Sequence, residues 1–191
     1  MAHLSIIGTG NMGQAISSVV TKGGNTVELL GQTDTDKPVT GDIVVLAVPY
    51  PAIDQVLAER GEQLKGKIVV DITNPLNFET FDSLTVPADS SAAAEIAAKL
   101  PGSRVLKAFN TTFAGTLAAG TVGALTTTVL VAGDDADAKA TLIGVISAAG
   151  LKAIDAGALK RAREMEALGF LQISLAAKET VSWTGGFGVV A

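Results

Sequence analysis

The 191-residue sequence contains no cysteine, which excludes disulfides, thiolate metal ligands and cysteine nucleophiles. Its single histidine, His3, stands at the entry to the first apolar run. A general base must lie in the site that it serves, so we expect His3 to be a strand-end residue and not a catalytic one. No apolar run approaches the ~20 residues that cross a bilayer, and the N-terminus lacks the features of a secretory signal. These absences predict a cytoplasmic protein without a membrane partner.

Charge is also scarce, because charged residues make up 17% of the chain and the net charge is −5. The sequence therefore has no basic footprint for nucleic acid, and we expect no such partner. An anionic ligand would have to be held by local backbone dipoles. The sequence also lacks a phosphate-loop lysine motif, a nucleophile elbow and a zinc-type His-Glu-x-x-His pattern.

Strand-like and helix-like segments alternate along the chain. Leu4–Ile7 stops at a glycine, an amphipathic helical pattern follows, and Val27–Leu30 completes a βαβ unit. Ile43–Val48 and Ile68–Ile72 are continuous apolar runs, as in parallel strands covered on both faces. This pattern predicts an α/β, doubly wound Rossmann-type fold, with a mostly parallel sheet of about seven to eight strands and helices on both faces. Gln32–Thr40 is too short for the usual helix and third strand, so we expect the sheet to be trimmed after strand two.

The length predicts a single domain over residues 1–191, with a short C-terminal helical extension from about residue 157. The last helix is expected to begin near Ala158. Four of its charged residues are expected to form a solvated, ion-paired face: Arg161, Arg163, Glu164 and Glu166. The apolar content of 48% and this final helix favour a homodimer.

The glycine-rich turn Gly8-Thr9-Gly10-Asn11-Met12-Gly13 follows the first strand and opens a helix. In this context Gly8 makes a tight turn, Gly10 lets the backbone approach a diphosphate, and Gly13 lets the helix pack on the strand. The free N–H groups and the dipole at the helix start bind the anion. A glycine-rich turn without a ligand is the alternative, but the strand–turn–helix context favours a dinucleotide-binding site.

The end of the second strand bears on the choice of dinucleotide. An acidic residue about 20 positions beyond the glycines normally binds the ribose of NAD. Here the matching residues are Gly31, Gln32 and Thr33, none of which is acidic. Gln32 and Thr33 can donate hydrogen bonds to a 2′-phosphate, and Lys37 could add positive charge. The sequence thus favours NADP as the cofactor over NAD, although this loop could also be merely solvated.

Three further strand ends are candidates for the rest of the cofactor site, because ligands of such sheets bind beyond the carboxyl ends of the strands. Each combines a proline or an amide side chain with the abrupt end of an apolar run. Residues of this kind also end strands for purely steric reasons, without a ligand. The candidate contacts are Ala47, Val48, Pro49 and Tyr50; Asn74, Pro75 and Leu76; and Ala108 and Phe109.

Taken together, these segments resemble the deazaflavin-dependent NADP reductase family, whose fold also occurs in the cytosolic domain of the STEAP metalloreductases. Besides the glycine turn, the matching blocks are Asp42–Pro49, Asp71–Leu76, Lys107–Thr111, Val131–Asp135, Asp155–Leu159 and Ala162–Glu166. The resemblance implies that nicotinamide lies among Val48-Pro49, Asn74-Pro75-Leu76 and Ala108-Phe109. It also implies an enzyme that passes hydride directly to a stacked small-molecule acceptor, such as a flavin or deazaflavin, without a catalytic side chain. The chain departs from the family at Gln32-Thr33, where the family usually has Ser-Arg.

Other readings of the sequence remain open. Imine reductases and β-hydroxyacid dehydrogenases share the dinucleotide domain, but they need a large helical domain for which the segment after Asp155 is expected to be too short. A non-catalytic NAD(P)H sensor or interaction module could have much the same sequence. Trp183 or Phe187 could stack on a flat acceptor ring, or could equally pack on the chain itself or on a partner subunit.

Overall fold

The structure, a computed structural model, describes residues 1–190. The strands are β1 (His3–Ile7), β2 (Thr26–Leu30), β3 (Ile43–Leu46), β4 (Ile68–Asp71), β5 (Arg104–Ala108), β6 (Thr121–Val122), β7 (Leu125–Thr126), β8 (Thr128–Gly133) and β9 (Lys152–Gly157). The helices are α1 (Asn11–Lys22), α2 (Ile53–Arg60), α3 (Ala92–Lys99), α4 (Ala114–Ala119), α5 (Ala136–Ala148) and α6 (Ala162–Ala177).

Seven strands form one sheet in the order β2-β1-β3-β4-β5-β8-β9. The first five are mutually parallel, whereas β8 runs antiparallel to β5 and β9 runs parallel to β8. The predicted fold class is confirmed, including the trimming, because β2 is an edge strand and the chain passes from it directly to β3. The small antiparallel ribbon of β6 and β7 was not predicted, since two-residue strands carry no readable periodicity.

Helices cover both faces of the sheet. On one face, α1, α4 and α5 pack on side chains such as Ile6, Val45 and Val70. On the other face, α2, α3 and the start of α6 pack on Val44, Leu46 and their neighbours. Buried side chains point to alternate faces along each strand, so both cores are filled by the same continuous apolar runs.

The second face lacks a helix over β1 and β2, and the segment 31–42 lies there instead. Val39 of this segment is buried in the core of that face. Beneath it, the Ser5 hydroxyl donates to Glu28 and accepts a hydrogen bond from the Gly41 amide at 2.8 Å. The Thr40 amide also donates to Glu28, at 2.8 Å. A loop held by polar contacts thus covers the trimmed part of the sheet.

The last helix differs from its prediction. A single 3-10 turn over Leu159–Arg161 precedes α6, which begins at Ala162. Glu166, expected on a solvated face, is 1% exposed. The expectation was wrong for this residue because Glu166 lies on the same side of α6 as the buried Ala162, Met165 and Gly169. No helix in residues 1–190 has the length and apolar character of a membrane span.

Candidate functional site

The register of the sheet brings the predicted strand ends to one edge. Ile7 pairs with both Leu30 and Leu46, Leu46 pairs with Asp71, and Asp71 pairs with Lys107. The residues that follow this row therefore emerge together at the carboxyl edge of the five parallel strands. His3, at the other end of β1, bonds to the hydroxyls of Thr26 and Thr40 and lies away from this edge.

The three glycines of the turn have different environments. Gly8 has φ +119°, and a Cβ there would lie 2.1 Å from the Ala47 carbonyl oxygen. A Cβ on Gly13 would lie 2.2 Å from the Gly8 carbonyl oxygen. Gly10 is different, because a Cβ there would have no neighbour within 4 Å. Nothing in the protein requires glycine at this position, whereas close approach of a ligand to the backbone would.

The start of α1 is open to an anion. Its N-cap residue is Gly10, no side chain caps the helix, and its first turn holds no acidic residue. The first N–H groups of a helix need partners from outside the helix. In α1 they are left for solvent or a ligand at the positive end of the helix dipole.

The end of β2 forms a tight turn beside the glycine loop. A Cβ on Gly31 would lie 3.6 Å from Cγ2 of Thr9. Gln32 and Thr33 are exposed at the tip of the turn. Asp34 closes it by accepting a hydrogen bond from the Gly31 amide at 2.8 Å.

Charged side chains of both signs lie behind this turn. The Lys37 ammonium lies 2.9 Å from Asp34 and lowers the pKa of that carboxyl, assisted by the Gly31 amide. The buried Arg60 guanidinium donates to the backbone carbonyls of Asp34 and Lys37. It forms no salt bridge with a carboxylate of residues 1–190, and the exposed Asp36 adds a second carboxylate to the segment, so the two cations and the two carboxylates balance in number.

Beyond β3, Ala47 and Val48 continue the strand direction next to Gly8, and Pro49 is exposed. The Tyr50 hydroxyl donates to Glu95 of α3 at 2.5 Å. Burial, followed by the bond to Glu95, raises the pKa of Tyr50, which keeps the hydroxyl protonated. Tyr50 therefore fastens the end of β3 to α3.

The ends of β4 and β5 are joined by two asparagines. Asn74 donates to the Asn110 carbonyl at 2.9 Å, and Asn110 donates to Asn74 Oδ1 at 3.0 Å and to the Met165 carbonyl at 2.9 Å. A Cβ on Gly169 would lie 2.3 Å from Asn74 Oδ1, so this glycine lets α6 approach the pair. Pro75 and Leu76 are buried directly after Asn74.

Backbone and hydrogen-bonding anomalies cluster at the same place. Phe109 is buried and has φ +63°, a conformation that a bulky residue rarely adopts and that is frequent at functional sites. Thr73 Oγ1 and Asn110 Oδ1 are buried without a hydrogen-bond partner in residues 1–190. Such orphaned groups are uncommon in native proteins. The strand ends expected to meet the nicotinamide thus carry features that the contacts within residues 1–190 do not explain.

A set of buried charges beneath these strand ends was missed in the sequence. Asp71, Lys107 and Glu166 are each at most 1% exposed, and the Lys107 ammonium lies 2.7 Å from both carboxylates. Burial raises the pKa of Glu166, although Lys107 opposes the shift. The sequence offered one signal of these charges. Asp71 ends the apolar strand β4, and Lys107 lies among the apolar residues of β5.

The C-terminal segment packs against the loop after β5. The Trp183 ring lies 4.9 Å from that of Phe113 and is 53% exposed as a residue. The Phe187 amide donates to Oε1 of the buried Gln172 at 3.1 Å. Among residues 1–190, no three histidine, aspartate or glutamate side chains form a group that could hold a metal ion.

Comparison with known proteins places the chain in a family. Residues 25–75 match the family described as NADP oxidoreductase, coenzyme F420-dependent. The F420-dependent NADP reductase of Methanocaldococcus jannaschii is 32% identical over 171 residues, covering 87% of this chain and 76% of its own. This chain belongs to the F420-dependent NADP reductase family. The resemblance stated from the sequence is therefore confirmed.

Two further similarities are narrower. Metalloreductase STEAP3 of Rattus norvegicus is 37% identical over 112 residues, which are 59% of this chain and 22% of that protein. A crystal structure from Arthrobacter sp. FB24, provisionally identified as an F420-dependent NADP reductase, has a TM-score of 0.86 and 24% identity, with full coverage of both chains. At that identity the structure bears on the fold alone.

Proposed function

We propose that this protein is an NADP-dependent oxidoreductase that transfers hydride directly between the nicotinamide and a flat small-molecule acceptor stacked on it. The observation that carries the proposal is the open glycine cradle, where Gly10 faces free space and α1 has no side-chain cap. F420-dependent NADP reductases are named for their use of NADP, and the predicted cofactor agrees with the names of these relatives.

The residues proposed to hold the cofactor are those predicted from the sequence. The diphosphate lies on the turn from Gly8 to Gly13, and the adenosine end lies at Gly31, Gln32 and Thr33. The exposed Gln32 and Thr33 side chains can donate hydrogen bonds to a 2′-phosphate, and Lys37 and Arg60 offset the charges of Asp34 and Asp36 beside them. The nicotinamide end lies at Ala47–Tyr50, Asn74–Leu76 and Ala108–Phe109.

NADP supplies the hydride chemistry when it is bound, and the chain supplies binding and orientation. The strained Phe109 and the joined Asn74–Asn110 pair form a rigid floor at the ends of β4 and β5. Trp183 and Phe187 offer partly exposed aromatic faces beside the loop after β5, where a flat acceptor could stack. We propose F420 or a flavin-like ring as that acceptor.

Turnover is tested by mixing the protein with NADPH and a panel of F420, flavins, quinones and ferric chelates while following the absorbance of the reduced nicotinamide. We expect oxidation of NADPH with at least one member of the panel. Binding of NADPH without turnover of any acceptor would favour a non-catalytic sensor. We expect NADPH to bind roughly tenfold or more tightly than NADH, as one or more charge-assisted contacts imply. Equal or tighter binding of NADH would contradict the role given to the Gln32–Thr33 turn.

We also propose that the protein acts as a homodimer. Leu171 of α6 and Phe78 are large apolar side chains that stay exposed, and Phe78 contacts Phe81, whose carbonyl accepts a hydrogen bond from Ser174 of α6. A twofold interface along α6 would bury these side chains in both chains. Light scattering should give the mass of two chains, and a monomer at all working concentrations would contradict the proposal.

A further inference from the structure

The Lys107 ammonium uses all three of its N–H donors inside the protein. It donates to Asp71 at 2.7 Å, to Glu166 at 2.7 Å and to the backbone carbonyl of Thr73 at 2.6 Å. The side chains of Lys107 and Asp71 are fully buried, and that of Glu166 is 1% exposed. The group is therefore a closed network with no direct access to solvent.

This network holds the backbone at the end of β4 from two directions. Lys107 binds the Thr73 carbonyl, and Asp71 accepts a hydrogen bond from the Thr73 amide at 2.8 Å. Both polar backbone groups of Thr73 are thus held by the buried charges. The next residues, Asn74 and Pro75, begin the segment proposed to meet the nicotinamide.

Glu166 connects the network to two helices. It belongs to α6, and it accepts hydrogen bonds from the amides of Ala92 at 2.9 Å and Ala93 at 3.3 Å at the start of α3. A carboxylate at this place is favoured by the helix dipole. One side chain therefore fixes α6, α3 and, through Lys107, the end of β4.

We propose that Lys107 and Glu166 are positioning residues for hydride transfer, because they hold the Thr73–Pro75 segment in the orientation that the nicotinamide ring requires. This inference rests on the proposed function. Apolar side chains of similar volume often stabilise a core as well as a buried ion set does. Here the hydrogen bonds of Asp71 and Lys107 converge on the backbone of Thr73. The network therefore also fixes the turn that faces the proposed nicotinamide site.

The test uses Glu166→Gln, which keeps the shape of the side chain but removes one acceptor. The matched control is Lys139→Met, because Lys139 also bridges a carboxylate, Asp155 at 2.8 Å, and a carbonyl, Gly157 at 3.3 Å. That bridge joins α5 to β9, two strands beyond β5, and makes no hydrogen bond to the Thr73–Pro75 segment. NADPH is titrated into each protein, and the fluorescence lifetime and anisotropy decay of the bound reduced nicotinamide are recorded.

For Glu166→Gln we expect a Kd for NADPH within about threefold of wild type, because the diphosphate anchor is untouched. The bound nicotinamide should show a shortened lifetime and faster local motion, and kcat with a working acceptor should fall about tenfold or more. Lys139→Met should match wild type in all of these. The decay of free NADPH is recorded separately and resolved as its own component, so the lifetimes of the bound molecules are compared and a partly unfolded sample does not imitate the effect.

The triple variant D71N/K107M/E166Q removes every charge of the network and provides a second measurement if Glu166→Gln folds poorly. It should bind NADPH with the same loss of nicotinamide order. If the variants keep the lifetime and kcat of wild type, the inference is overturned and the proposed function is not affected. A wild-type protein that does not bind NADPH would overturn the proposed function and the inference with it.

Discussion

Two polar networks lie on the same face of the sheet, one at the middle of β1 and β2 and the other at the carboxyl ends of β4 and β5. The loop network joins Ser5, Glu28 and the amides of Thr40 and Gly41. The strand-end network, described above, joins two carboxylates and a lysine near the carboxyl ends. The loop network is built from one charge and neutral donors, and it covers a place where a helix is missing.

Burial decides how the two glutamates behave. At Glu28 the burial that would raise the pKa is only partial, and hydrogen bonds from Ser5 and Thr40 outweigh it, so the pKa is lowered. At Glu166 burial is nearly complete and outweighs Lys107, so the pKa is raised. A partly exposed carboxylate loses little hydration, so the hydrogen bonds it accepts stabilise the fold. A buried carboxylate loses most of its hydration, and its partners do no more than offset that cost.

Gly41 closes the loop network, whereas Gly169 packs on the Asn74–Asn110 pair that follows the strand-end network, and substitutions at these glycines offer the largest expected effect. A Cβ on Gly41 would lie 2.4 Å from the Ser5 backbone nitrogen, which cannot yield. We expect Gly41→Ala to cost about 3 kcal/mol or more. We expect Gly169→Ala to cost about 1–3 kcal/mol, because the Asn74 side chain can shift but the Asn110 carbonyl oxygen, 2.9 Å from the added Cβ, belongs to the backbone. Chemical denaturation measures both.

Gly144→Ala is the matched control, because Gly144 lies in α5 with nothing within 4 Å of an added Cβ. It should raise stability by up to about 1 kcal/mol. Gly169→Ala should also disturb the bound nicotinamide, and Gly41→Ala should not. Equal stability of Gly41→Ala and wild type would show that the loop does not approach β1 as described.

The smallest effect concerns pH and has opposite signs at the two glutamates. The folded pKa of Glu28 is lowered from 4.5, so its stabilisation is present above that value and is lost as the pH falls through the folded pKa. The folded pKa of Glu166 is raised from 4.5, so its contribution is most favourable below that value and is lost as the pH rises through the folded pKa.

Wild type should therefore be more stable than Glu28→Gln at higher pH, and this difference in the free energy of unfolding should shrink as the pH is lowered below 4.5. The same difference for Glu166→Gln should shrink as the pH rises above 4.5. Denaturant titrations across this range measure both differences. Slopes of the same sign would contradict the contrast drawn between partial and complete burial.

Much of the fold was predictable because its signals are local. Continuous apolar runs identified the parallel strands, and the short segment after β2 identified the trimmed edge. The reversed direction of β8 was not foreseen, since an apolar run does not tell which way a strand enters the sheet. The prediction of a single domain over residues 1–191 stays a prediction.

The candidate site was predictable where backbone requirements determine residue type. Gly8 and Gly13 occupy positions that no side chain can fill, and such needs are visible in a motif. The partners of Lys107 were not predictable, because a glutamate on a helix normally indicates a solvated face. Asn110 was also missed as a structural link, since its partners Asn74 and Met165 are distant in sequence.

The central claim is that the open face of Gly10 is where the dinucleotide diphosphate binds, and Gly10→Val tests it most directly. Gly10 has φ −72° and no neighbour within 4 Å of an added Cβ, so the variant should fold with little change in stability. Titration of NADPH should show binding weakened by at least about tenfold, or about 1.4 kcal/mol. A folded Gly10→Val protein that binds NADPH as tightly as wild type would contradict the claim.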